Sequence, residues 1–80
     1  MPSAEEVIEV TRQLLVEVGG LDPAEIDPRS QFNDFGLDSV EVLEVVARVE
    51  DRYGLKIPEE ELSKITTLRE LGRYVARHAA

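Results

Sequence analysis

Apolar positions recur at helical spacing in three long segments of the chain. In the first, Val7, Ile8, Val10, Leu14, Leu15 and Val18 follow one another at intervals of three, four and seven, which predicts a single apolar face. Ser3 stands where an N-cap belongs, and Glu5 and Glu6 fall in the turn where the helix dipole favours acids. Gly19-Gly20, with Asp22-Pro23 beyond, predicts the end of this helix. A second helix is expected from about Asp38 to Tyr53, closed by Gly54. Leu55-Lys56-Ile57-Pro58 then leads to Glu59-Glu60-Glu61-Leu62, where Pro58 is placed to start one or two helical turns. The glutamates would sit at that helix's positive end, most of them on a solvated face. The last helix is announced by Thr67-x-x-Glu70, a capping box. Leu68, Leu71, Tyr74 and Val75 repeat at helical spacing after it, and Arg69, Arg73, Arg77 and His78 fill the polar face and last turn.

Nothing in the chain reads as a strand, repeat or low-complexity segment. The expected fold is all-α: three main helices and one short helix forming one domain over residues 1–80, with a long first loop from Gly19 to Leu37. A loop of that length in so small a domain needs anchors. Ile26, Phe32, Phe35 and Leu37 supply them, and Pro23 could open a single turn through Ala24, Glu25 and Ile26. Eighty residues bury only about 60% of the surface the unfolded chain exposes, so the core is modest.

Charge narrows the partners. The net charge is −8 and the isoelectric point about 4.5, which argues against nucleic acid and against anionic membrane surfaces. Two readings of the acidity stand open: steering toward basic patches on other proteins, and solubility alone. With no cysteine there is no disulfide, thiolate nucleophile or thiolate metal site. No run approaches a membrane span, and the acidic start Met-Pro-Ser-Ala-Glu-Glu is unlike a secretory signal. The chain reads as cytoplasmic, unprocessed and monomeric.

The second helix has more apolar surface than one core-facing stripe requires. Val42, Val45, Val46, Val49 and Tyr53 share an inward face, while Val40, Leu43 and Ala47 form a second stripe. Glu41, Glu44, Arg48, Glu50, Asp51 and Arg52 flank that stripe. An apolar stripe rimmed with carboxylates reads as a docking surface; the competing reading is a helix buried on two sides. At the start of this helix, Asp38-x-x-Glu41 predicts a capping box. That makes Ser39 the first helical residue and frees its hydroxyl from capping. A phosphodiester built there would face unpaired backbone N–H groups and the positive end of the dipole. Gly36 lets the chain turn just before it. Asp-Ser is also among the commonest ways to begin any helix, so the dipeptide alone assigns nothing.

The whole segment Phe32-Asn33-Asp34-Phe35-Gly36-Leu37-Asp38-Ser39-Val40-Glu41 resembles the modification site of acyl carrier proteins. Ile57-Pro58-Glu59-Glu60-Glu61, Lys64-Ile65-Thr66-Thr67-Leu68 and the final amphipathic helix resemble the family's later landmarks, so the likeness covers essentially the whole chain. The resemblance implies a four-helix acyl-carrier-like bundle and a non-catalytic role. It implies that a phosphopantetheinyl transferase, using coenzyme A and a divalent metal, attaches 4′-phosphopantetheine to Ser39. The arm's thiol would hold acyl groups as thioesters for fatty-acid, polyketide or related biosynthesis. Acyl-loading and acyl-processing enzymes would dock by basic patches on Asp38, Val40, Glu41, Leu43, Glu44 and Ala47. Val46, Leu62 and Ile65 fall where members of the family shelter an acyl chain. Val40 stands where leucine is commoner, Ala47 where a larger apolar residue is frequent, and Phe35 where leucine often precedes the glycine. These departures leave room for a specialised pathway. Many peptidyl carriers have glycine or histidine in place of Asp38.

Two other readings remain: an aminoacyl or peptidyl carrier, and an unmodified acidic helical adaptor. An enzyme is disfavoured, since the single histidine, His78, falls in the last helical turn, where it complements the dipole or is solvated. A calcium loop around Gly36 is disfavoured because Gln31 and Phe35 occupy positions that need oxygen ligands; no metal ligands are assigned.

Overall fold

A computed structural model describes residues 1–79. Helix α1 spans Ala4–Gly19. Ser3 Oγ accepts the Glu6 amide at 3.1 Å, and Gly20, at φ 67°, ends the helix by donating its N–H to Val16 O. Its fully buried stripe is Val7, Thr11 and Leu15. This is narrower than the predicted face, for Ile8, Val10, Leu14 and Val18 are only half-buried flanks. Thr11 enters the core because its Oγ1 donates to Val7 O at 2.7 Å. The hydroxyl is thereby satisfied within the helix, and the methyl is left as apolar packing surface.

Two 3₁₀ turns, Pro23–Glu25 and Phe32–Phe35, break up the expected long loop. The first is the turn predicted from Pro23, with Ile26 as its extended cap rather than its last residue. Ile26 is only 3% exposed and anchors the loop as anticipated. The second turn forms where Asp34 Oδ2 accepts the Gln31 amide at 3.1 Å and the two phenylalanine rings meet edge to face at 6.4 Å. Arg12 clamps the loop to α1 by donating through Nη1 to Ile26 O at 3.0 Å.

Helices α2 (Ser39–Tyr53), α3 (Glu59–Leu62) and α4 (Leu68–His78) follow. Pro58 caps α3 from outside rather than serving as its first residue. An isolated antiparallel bridge pairs Gln31 with Thr67, and Arg69 N donates to Pro28 O at 2.9 Å, so the loop is tied to the start of α4. None of the helices among the described residues is long and apolar enough to cross a membrane.

Both α2 and α4 pack against α1. One buried cluster joins Val7, Val46, Val49, Ile57, Leu71, Val75 and Ala79; a second joins Leu15, Ile26, Val45 and Leu68 beneath the loop. Helices α1 and α4 are in close contact at Gly72, where an added Cβ would lie 2.9 Å from Ala4 O and 2.9 Å from Ile8 Cγ1. Tyr53, at the end of α2, donates its hydroxyl to Glu6 Oε2 at 3.3 Å. Burial first, and then the Glu6 carboxylate, push its phenol above the usual range.

The capping box predicted at α4 is present: Glu70 N donates to Thr67 Oγ1 at 3.1 Å, and Glu70 Oε1 accepts the Thr67 amide at 3.1 Å. Glu70 Oε1 also accepts the Thr66 amide at 3.1 Å and the Thr66 hydroxyl at 2.9 Å. These bonds, that from the Thr66 amide foremost, hold the Glu70 carboxyl below its ordinary value. A depressed folded value means the contribution is fully present above the unfolded value, about 4.3. It is lost as the pH falls through the lower folded one. Glu70→Gln should therefore be less stable than the parent near neutrality, with the gap closing in acid. Urea midpoints measured across this range test it, and a gap constant with pH would refute it.

Candidate functional site

The start of α2 is shaped by residues close to it in sequence. Gly36, at φ 73°, adopts the left-handed conformation that L side chains avoid, and its N–H donates to Asn33 O at 3.4 Å. Leu37 is half-buried against the cluster of Leu15, Ile26, Val45 and Leu68. It packs over Gly19 so closely that a Cβ there would lie 2.5 Å from Leu37 Cδ2. Asp38 is the extended N-cap. Its Oδ1 accepts the Glu41 amide at 2.8 Å, and Glu41 Oε1 accepts the Asp38 amide at 3.1 Å. The predicted capping box thus closes, and Ser39 is the first helical residue.

Ser39 is exposed, and its hydroxyl makes no hydrogen bond to the described residues. The Val42 amide is the first to find a backbone partner within the turn, at Asp38 O, 3.1 Å away. With Glu41 N held by Asp38, the amides of Ser39 and Val40 have no partner among the described residues at the positive end of the helix.

Along α2 the two predicted stripes separate cleanly. Val45, Val46 and Val49 are buried and Val42 and Tyr53 half-buried, whereas Val40 is 72% and Leu43 58% exposed and Ala47 is exposed too. The outer stripe is therefore not covered by another helix.

The rim differs in detail from the sequence reading. Glu44 Oε2 accepts from Arg48 Nη2 at 2.9 Å, and Arg48 Nη1 lies 3.8 Å from Glu17 Oε2 on α1. The spacing of Glu44 and Arg48 is itself a signal of such a pair. Glu50 does not flank the stripe as a free carboxylate: its Oε2 accepts the Ile57 amide at 2.8 Å. No local pattern marks that contact, because the chain reverses at Gly54 between the two residues.

Val46, Leu62 and Ile65 all belong to or pack against the first core cluster. Ile65 lines a cleft of about 180 Å³ with Phe32, Asn33, Val42 and Thr66, and neither Val46 nor Leu62 reaches it. His78 is exposed and stacks on Tyr74 with ring centroids 4.1 Å apart.

A family model described as the phosphopantetheine attachment site matches residues 9–75. The acyl carrier protein of Rubrobacter xylanophilus is 33% identical over 75 residues, covering 92% of this chain and 93% of that protein. The meromycolate extension acyl carrier protein of Mycobacterium leprae is 35% identical over 74 residues, covering 91% of this chain. The chain spans 64% of the length of that relative. Among solved structures, a free-standing peptidyl carrier protein from Acinetobacter baumannii superposes with a TM-score of 0.82 at 27% identity, covering 94% of each chain. The helical bundle and the exposed serine turn define a carrier domain, and the chain belongs to the acyl carrier protein family. Its expected covalent prosthetic group is 4′-phosphopantetheine.

Proposed function

We propose that Ser39 is the attachment point of the arm and that the chain carries acyl groups for fatty-acid, polyketide or related biosynthesis. The observation that carries this reading is the state of the Ser39 hydroxyl: exposed, without a hydrogen-bond partner among the described residues, and relieved of capping by Asp38. When bound, the arm supplies a thiol on which acyl groups are held as thioesters. The residues around it fit a phosphodiester. The amides of Ser39 and Val40 and the positive helix end offset its charge. Gly36 and Leu37 fix the direction in which the helix starts.

In this reading Ser39 is the substrate of a phosphopantetheinyl transferase, and no side chain of the protein does catalysis. Partner enzymes with basic patches meet the exposed Val40, Leu43 and Ala47 and the carboxylates of Asp38, Glu41 and Glu44. An acyl chain entering the bundle would have to part Val46, Leu62 and Ile65, starting from the cleft at Ile65. The likeness to a peptidyl carrier supports a second reading, in which the cargo is aminoacyl.

The test is the intact mass after incubation with coenzyme A, magnesium and a promiscuous transferase. A gain of one arm is expected. No gain, where a known carrier is converted, would refute the carrier reading. Comparing acyl with aminoacyl loading of the product then separates the two cargo classes.

Docking makes its own prediction. Glu44→Lys combined with Glu41→Gln, which keeps a capping-box side chain, should slow modification at low salt by roughly tenfold. Circular dichroism should show unchanged helicity. Equal rates at low salt would remove the rim from the docking surface.

A further inference from the structure

The acidic rim of α2 has a counterpart of opposite sign on α4. Arg69, Arg73 and Arg77 stand four residues apart, a rise of roughly 6 Å between neighbours along one slowly turning face. All are exposed. Among the described residues none has a carboxylate within ion-pairing distance, whereas Arg12, Arg48 and Lys64 are all paired. The bond from Arg69 N to Pro28 O brings Arg29 alongside, and Arg29 and Arg69 line one cleft with Ile8, Asp27 and Pro28. Arg73 and Arg77 line a second cleft, of about 410 Å³, with Glu61, Lys64, Ile65, Glu70 and Tyr74.

Carboxylates line the same two clefts, Asp27 the first and Glu61 and Glu70 the second, but each already has a partner other than the guanidinium groups of these arginines. Glu70 is held by Thr66 and Thr67, Asp27 Oδ1 accepts the Arg29 amide at 2.9 Å, and Glu61 pairs with Lys64 at 3.3 Å. A chain of net charge −8 therefore presents a strip of four exposed arginines along α4 and the loop beside it, none of them in an ion pair among the described residues.

We propose that this strip is a second docking surface, for an acidic helical segment of a partner protein. Guanidinium groups bind carboxylates in a two-pronged geometry, and a row at four-residue intervals matches glutamates repeated at the same interval on a facing helix. A second copy of this chain, itself at −8, and an anionic bilayer each set a broad negative surface against the whole molecule, whereas a single acidic helix meets the strip alone. The strip lies outside the start of α2, so its role does not depend on modification of Ser39. A carrier built this way is held by an acidic partner through α4 while α2 is free to meet an enzyme.

The probe is a synthetic alanine-glutamine helical peptide with glutamate at every fourth position, titrated into the isotope-labelled full chain at low salt. Amide shifts are expected at Arg29, Arg69, Arg73 and Arg77. Arg73→Gln with Arg77→Gln, and separately Arg69→Gln, should weaken the peptide, the double change by roughly tenfold. Lys56→Gln, off the strip, should not. The rate of transferase modification should be the same in all of them, which separates this surface from the carrier reading. Equal peptide affinity in the double variant would overturn the proposal. So would shifts centred away from α4, concentration-dependent self-association through the strip, or tighter binding of phosphatidylglycerol vesicles than of the peptide.

Discussion

Replacing Ser39 with alanine should abolish attachment of the arm and leave the fold intact. The hydroxyl has no hydrogen-bond partner among the described residues, and alanine is the best helix former at a helical position. The melting temperature should move by no more than about 2 °C. Asp38→Ala is the mirror experiment. It removes the side chain that accepts the Glu41 amide, a cap worth about 1 kcal/mol, or roughly 4–8 °C in a domain of this size. It should nevertheless still gain the arm. Intact mass and thermal melting on the two variants separate the chemical residue from the structural one. A mass gain in Ser39→Ala would move the attachment site elsewhere. A drop of several degrees in the same variant would show that the hydroxyl supports the helix after all.

The largest structural effect is expected at Gly72, a residue with no part in the chemistry. Valine there would drive its side chain into the Ala4 carbonyl and Ile8, each of which has an atom 2.9 Å from where an ideal Cβ would stand. The carbonyl is backbone and yields only if α1 shifts as a whole. Overpacking of this kind costs about 2 kcal/mol or more, a fall of roughly 10 °C in melting temperature. Gly72→Ala should be milder, because the gain in helix propensity, up to about 1 kcal/mol, offsets part of the clash. A valine variant as stable as the parent would mean that α1 and α4 are less closely packed than described.

The caps were readable because they close within four residues. Ser3 with Glu6, Asp38 with Glu41 and Thr67 with Glu70 need only local spacing, and each forms as predicted. The same locality made Ser39 identifiable as the first residue of α2. Features that depend on distant partners were not readable. Gly72 looks like an ordinary helix weakness until α1 is laid against it. Thr11 looks polar until its hydroxyl is seen to turn back on its own helix inside the core. Glu50 looks like part of an acidic rim until the chain reverses and offers it the Ile57 amide. The 3₁₀ turn at Phe32–Phe35 has a local part, the Asp34 cap on the Gln31 amide and Gly36 beyond, and a distant part, the aromatic packing and the bridge to Thr67, that local spacing does not show.

Arg48 holds Glu44 at 2.9 Å within the rim proposed as the docking surface. A lysine or arginine arriving there does not meet an empty carboxylate; it displaces a cation already in place. Contact at that point is an exchange of ions rather than the formation of a pair. Fewer small ions are then released on docking than the number of glutamates suggests, and affinity should fall less steeply with salt. On the proposed docking surface, Arg48 should favour partners whose cation outcompetes a tethered arginine.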